Sequence, residues 1–178
     1  MWQRGVWYGD RMSDVAGYQL AQVNVARLRE PLTSPLLADF VAALEPINAL
    51  ADRSPGFVWR LQTEAGDATD VRLFDDDLLL VNMSTWASLA ALADYVYHSE
   101  HTAVMRRRRT WFAPIAGVYV ALWWVAAGHR PTPAEAATRL RLLEARGPSP
   151  DAFTFRAPFP PPGSSAPLPA REGDLCPA

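Results

Sequence analysis

The hydrophobic period of this chain switches repeatedly between two residues and about 3.6, and the order of the switches limits the possible folds more than any motif does. Residues 18–28, YQLAQVNVARL, alternate polar and apolar positions and predict a strand. Residues 34–53 follow helical spacing through Leu37, Phe40, Val41, Leu44, Ile47 and Leu50. Ser34 is placed to cap that helix, Pro35 to open it and Pro46 to kink it. Strands are predicted again at 56–63 and 77–84. A long helix follows over about 86–112, capped by Ser84 or Thr85 and breakable near Ser99. A strand at 118–126, a short helix at 131–147 and an extended piece at 152–155 complete the body.

The order strand, helix, strand, strand, helix, strand is the split βαβ arrangement of an α+β, ferredoxin-like fold. It predicts a four-stranded antiparallel sheet with the two crossover helices on one face. The other face then needs a cover. A second copy of the chain is the simplest one, giving a dimeric α+β barrel. Three regions result: an N-terminal extension at 1–17, the barrel domain at 18–156, and a Pro-rich tail at 157–178 whose composition predicts disorder.

Composition narrows the function. The formal net charge is −2, which opposes a general nucleic-acid or anionic-membrane binder. All 17 basic residues are arginine. Lysine Schiff-base chemistry and a phosphate-loop lysine are therefore excluded. The single cysteine, Cys176, permits no internal disulfide and fits a reducing cytoplasm. The longest apolar run, VYVALWWVAAG, is too short to span a bilayer as a helix.

The segment YHSEHTAVMRRRRTWF (97–112) draws attention because it mixes histidine, arginine and aromatic residues. On a helix Asp94, His98, His101, Met105, Arg108 and Phe112 fall along one stripe. The four arginines at 106–109 step around the axis, so one or two can face a cavity, Arg108 among them. His101 suits acid/base work near neutral pH, though a histidine bonded at a core boundary looks the same in sequence. Arg108 suits an anionic or carbonyl oxygen. A metal site needs three or more convergent ligands; Asp94 could join His98 and His101, but no other His-rich or Cys-rich element supports a site, so none is expected. Haem needs one axial ligand, for which His101 is the candidate and His129 the second. Asn24 and Asn82 interrupt otherwise apolar strands, so each needs a backbone partner or a ligand. Seven tryptophans are many for 178 residues. Trp59, Trp86, Trp111 and Trp123 are candidate pocket residues, although core packing is the default for this side chain. Trp123 and Trp124 point to opposite faces, so one at most lines a given cavity.

The blocks LAQVNVARL, INALADRSPGFVWRLQ, LLLVNMSTW, YVYHSEHTAVMRRRRTWF, LWWVAAGHRPTPAEAATRLRLL and GPSPDAFTF resemble a bacterial family known as a domain of unknown function, number 3291. The resemblance runs from about residue 18 to 160. It implies the dimeric α+β barrel fold and favours His101 over His98 as the functional histidine. That fold carries cofactor-independent monooxygenases, polyketide cyclases and several haem enzymes, so it does not settle function. Three readings stay open. The first is a small-molecule enzyme without cofactor, acting on an aromatic or polyketide-like substrate by cyclisation, isomerisation or oxygenation. In it His101 and Arg108 are catalytic, and Asn24, Trp59, Asn82, Trp86, Met105, Trp111, Phe112 and Trp123 bind substrate. The second is a haem enzyme, and the third a non-enzymatic binding module. A small molecule and a second copy of the chain are the expected partners.

Overall fold

The computed structural model describes residues 17–98 and 107–164. Five strands form one antiparallel sheet. They are β1 (Tyr18–Leu28), β2 (Phe57–Arg60), β3 (Leu79–Trp86), β4 (Phe112–Ala113) and β5 (Val120–Ala126). The helices are α1 (Ala38–Asp52), preceded by a 3-10 turn at Pro35–Leu37, then α2 (Leu89–His98) and α3 (Pro133–Arg146). β1 lies at the centre. β3 pairs with it on one side and β2 pairs with β3. On its other side β1 pairs with β5 over Tyr18–Asn24 and with β4 at Arg27 and Leu28. β4 and β5 are thus one edge strand interrupted by the loop 114–119. The order β2, β3, β1, β5 is the ferredoxin-like order, so the expected fold class is met.

Local chemistry accounts for most element ends. Ser34 caps the 3-10 turn, its Oγ accepting from the Leu36 N–H at 3.2 Å. The α1 assignment continues through Pro46. Thr132 and Glu135 form a reciprocal capping box on α3, with Pro133 in its first turn. Gly56 enters β2 at φ 78°, and a Cβ there would sit 2.6 Å from Ala91 Cβ on α2. Glycine is needed at this position for both the turn and the close approach. Ser84 and Thr85, expected to cap the second helix, instead lie buried inside β3. Ser88 does the capping, its Oγ accepting from the Ala91 N–H at 3.1 Å. The dipeptide strand β4 was also expected to be helical. Its pairing with the end of β1 overrides the helical spacing.

The two sheet faces are covered differently. Even-numbered residues of β1 face α1 and α2: Leu20 packs with Leu89, Leu92 and Phe153, and Leu28 with Leu37 and Trp111. Odd-numbered residues face α3. There Ala21, Val23, Val25, Val81, Met83, Ala121, Trp123 and Val125 pack with Ala136, Leu140 and Leu143, none of them more than 8% exposed. Leu61, Leu73 and Phe74 of the 61–78 loop also pack on this face. The cover expected from a second subunit is therefore supplied, in the single chain, by its own C-terminal helix and this loop. After α3 the chain turns back. Phe153 exchanges two 2.8 Å backbone hydrogen bonds with Leu122 on the outer edge of β5. Phe155 and Phe159 then pack among the residues under α2. The Trp124 indole donates to the Phe159 carbonyl at 2.7 Å, and Pro161 is buried. No helix among the described residues is long and apolar enough to cross a membrane.

Candidate functional site

α1 does not sit flat on the sheet. Of its residues Ala51 alone is buried. Its inward side carries Phe40, Ala43, Leu44, Ile47 and Asn48, and the sheet below presents Asn24, Ala26, Leu80 and Asn82. Between the two sides, where Ala26, Ala43 and the three asparagines interrupt the larger apolar side chains, lies a cavity of about 180 Å³. Asn24 and Asn82 are direct partners in the β1–β3 register and form part of the floor. A wall comes from Arg108, Trp111, Phe112, Ala113, Ile115 and Tyr119. Loop residues 67–69 and Arg60 close another side.

The wall is held by ordinary contacts. Residues 107–111 form a helical turn. Arg29 Nε donates to the carbonyls of Arg109 and Phe112 at 3.1 and 3.2 Å, and its backbone N–H donates to the Trp111 carbonyl. Trp111 is fully buried, and Phe40 packs against it and edge-on to Phe112. Arg107 points outward, pairs with Asp39 at the start of α1 and lies over the Trp111 ring. At the other end of α1, Asp52 takes two hydrogen bonds from Arg60, at 2.8 and 3.3 Å. The helix is thus tied at both ends by arginine–aspartate pairs and stands off between them.

The charges in the cavity are unequal in freedom. Arg60 is committed to Asp52 and to the Gly66 carbonyl. Asp67 accepts from the Thr69 N–H and hydroxyl at 2.8 and 2.6 Å. Arg108 Nε is buried and makes no hydrogen bond. A buried donor without an acceptor is costly unless something arrives to accept from it. Asn82 likewise makes no side-chain hydrogen bond among the described residues and is exposed into the cavity. Asn24 Oδ1 accepts from Gln22 Nε2 at 2.8 Å, which leaves its Nδ2 for the cavity.

The residues named from sequence divide accordingly. The structure brings together Asn24, Asn82, Arg108, Trp111 and Phe112. His101 and Met105 lie outside the described residues. Trp59, Trp86 and Trp123 do not line this cavity. Trp59 and Trp123 pack on the opposite face. Trp86 is on the right face but under α2, fully buried between Phe57 and Tyr95. Alternation gives the face of a strand residue but not which helix lies above it. His129, the second haem candidate, is at the surface with Nε2 2.9 Å from Glu135. In the loop before β3, Asp76 pairs with Arg27 and Asp77 with Arg72. Sequence reasoning missed the α1 residues of the cavity, whose helical spacing reads as core. It also missed Gln22 and Ser84, polar residues on the same face as Asn24 and Asn82. No group of three or more His, Cys, Asp or Glu among the described residues is arranged to hold a metal.

A smaller cavity of about 160 Å³ lies beyond Tyr119, lined by residues 117–120 with Tyr97, Thr154 and Phe155, and includes no charged side chain.

Comparisons with known proteins place this site in context. Residues 19–169 match the model of the family described as a domain of unknown function (DUF3291). No curated protein matches the chain in sequence. Among solved structures, the chain is similar to the NE2512 protein of unknown function from Nitrosomonas europaea, at 18% identity and a TM-score of 0.40, covering 66% of this chain and 96% of that one. It is also similar to SnoaB, a cofactor-independent oxygenase from Streptomyces nogalater, at 17% identity and a TM-score of 0.38, covering 64% and 95%. PA3566 from Pseudomonas aeruginosa aligns at 15% identity and a TM-score of 0.36, covering 64% and 95%.

Proposed function

This chain belongs to the DUF3291 family, and we propose that it is a small-molecule enzyme that binds an aromatic or polyketide-like substrate between α1 and the sheet. The observation that carries this reading is the combination of an aromatic cavity with three unspent donor groups, on Asn24, Asn82 and Arg108. Such a set suits an oxygen on which negative charge develops. Trp111 and Phe112 give the flat, apolar contact that an aromatic ring prefers.

In this reading a base removes a proton next to a carbonyl or from a phenol. His101 is assigned that task from the sequence, seven residues before Arg108, with Met105 between them as a substrate contact. The resulting enolate or phenolate oxygen is held by the three donors. Its carbon can then attack an internal carbonyl, take a proton elsewhere or meet dioxygen. These are cyclisation, isomerisation and cofactor-independent oxygenation. The test is turnover of aromatic hydroxyketones by variants. His101→Ala should abolish turnover, and Arg108→Met should raise KM at least tenfold, about one charged hydrogen bond. Unchanged activity of His101→Ala overturns the mechanism, and binding without conversion in the natural protein turns the reading to a carrier.

The described cavity does not fit a haem. Among its described lining residues there is no histidine, cysteine or methionine to ligate an iron. No step is therefore routed through haem. The reading includes a homodimer in a reducing cytoplasm. With the second sheet face already covered, the contact would use another surface, such as the β2 edge with its exposed Val58, and light scattering decides it.

A further inference from the structure

Resting on that reading of the cavity, we propose that Trp86, Ser84 and Gln22 are positioning residues: they fix the direction in which Asn24 faces the cavity, so that the floor donates and selects a ligand oxygen that only accepts.

The four side chains stand in a row on the even-numbered face. Trp86 Nε1 donates to Ser84 Oγ at 2.9 Å, Ser84 Oγ lies 3.0 Å from Gln22 Oε1, and Gln22 Nε2 lies 2.8 Å from Asn24 Oδ1. Trp86, Ser84 and Gln22 are all at most 8% exposed. Asparagine and glutamine amides have two orientations of nearly the same shape, and the network alone decides between them.

Here the network has a fixed starting point. An indole N–H can donate and cannot accept. Ser84 must therefore accept from Trp86, and its own proton goes to another acceptor. Ser84 sits mid-strand, paired with Gln22 of β1 and Arg60 of β2, so the ladders occupy the backbone around it. The acceptor left is Gln22 Oε1. That turns the Gln22 NH₂ towards Asn24, which must receive it through Oδ1. The end of the row is the Asn24 NH₂, facing the cavity beside Asn82 and Arg108. One indole buried under α2 thus sets the polarity of a group under α1. It also gives Trp86 a role at the site without touching it.

The chemical consequence is selectivity. A phenolate, enolate or carboxylate accepts from Asn24, whereas a neutral hydroxyl that must donate finds no acceptor on Asn24 and is left to the Asn82 carbonyl. The probe is 4-nitrophenol, whose phenol and phenolate forms are distinguished by colour. Titrating it with and without protein gives a dissociation constant for each form. The natural protein should favour phenolate over phenol. In Gln22→Met and in Trp86→Phe, which keeps an aromatic ring between Phe57 and Tyr95, that preference should fall about tenfold, the effect of one hydrogen bond. Ser84→Thr keeps the hydroxyl and should keep the preference. Mere loosening of the fold would weaken both forms alike, and that result overturns the proposal. If the natural protein binds neither form, the reading of the cavity fails and the row is judged by hydrogen exchange of the Gln22 side-chain amide. Slow exchange that becomes fast in Trp86→Phe supports the row. Fast exchange in the natural protein overturns it.

Discussion

α1 and α2 cover the same face of one sheet, yet they make opposite use of it. α2 seats Leu89, Leu92 and Ala93 on Leu20, Trp86 and Leu122, each at most 5% exposed. α1 is five residues longer and buries only Ala51. The difference is in the facing residues. Beneath α2 the floor is leucine and tryptophan, which α2 meets with leucine. Beneath α1 the floor includes Asn24, Asn82 and Ala26 beside Leu80, and the helix side carries Ala43 and the polar Asn48 among its apolar residues. A close-packed helix would have stripped water from Asn24 and Asn82 with nothing in exchange. The proposed site thus lies where packing is thin, and buried apolar contact is concentrated a few residues away along the same strands.

That contrast can be broken by mutation. The largest effect is expected in the sealed half. Leu92→Ala should cost about 2–5 kcal/mol in urea unfolding, the usual range for a buried leucine. Ile47→Ala, on the cavity side of α1, should cost about 1 kcal/mol because little of its surface is fully enclosed. Equal costs would mean that α1 packs as tightly as α2. Next in size is Arg108→Met. It removes a buried donor that nothing satisfies and should raise stability by about 1–3 kcal/mol, read as a higher midpoint in urea, while weakening any bound anion. A loss of stability would mean that Arg108 already has a partner. The smallest effect lies on the other face, at the start of α3. Burial tends to raise the Glu135 carboxyl, but hydrogen bonds from the Thr132 backbone and from His129 outweigh it and hold the group below the ordinary carboxylate value. Its contribution is present above the carboxyl's unfolded pKa and is lost as pH falls through the lower folded value. Glu135→Gln should flatten that part of the acid limb of a melting-temperature profile. An unchanged limb would show that the cap is neutral to folding.

Much of this fold was legible because the sheet obeys period two. The strand at 18–28 was readable from alternation and the one at 118–126 from its short apolar run, and the sharing of a face by Asn24 and Asn82 followed once their register was known. Element ends were less so. Ser84 has the chemistry of a helix cap, but β3 runs on to Trp86 because the indole needs that hydroxyl inside the sheet. The site was half legible. Asparagines in apolar strands signalled it, and Arg108 and Phe112 of the stripe line the cavity, with Trp111 between them in the chain. The tryptophans misled because a large aromatic looks the same in sequence whether it lines a cavity or fills a core. The polar alternation Gln22, Asn24 on β1 and Asn82, Ser84 on β3 was the available signal for the hydrogen-bonded row. What alternation cannot express is that a helix four turns long stands off the sheet, since that depends on pairs of residues far apart in the chain.

The strap formed by Phe153 has a consequence for colloidal behaviour. A sheet edge with free N–H and C=O groups is a template on which another chain can grow. The two Leu122–Phe153 hydrogen bonds occupy that template on β5, and Phe155 and Phe159 fasten the strap to the face below. On the opposite side, β2 is four residues long and broken by an irregularity between Phe57 and Trp59, which makes it a poor template. Shortening the chain after α3 would take Phe153, Phe155 and Phe159 from the cluster under α2 and bare one sheet edge with the apolar surface beside it, so the shortened protein would be less stable and more prone to associate.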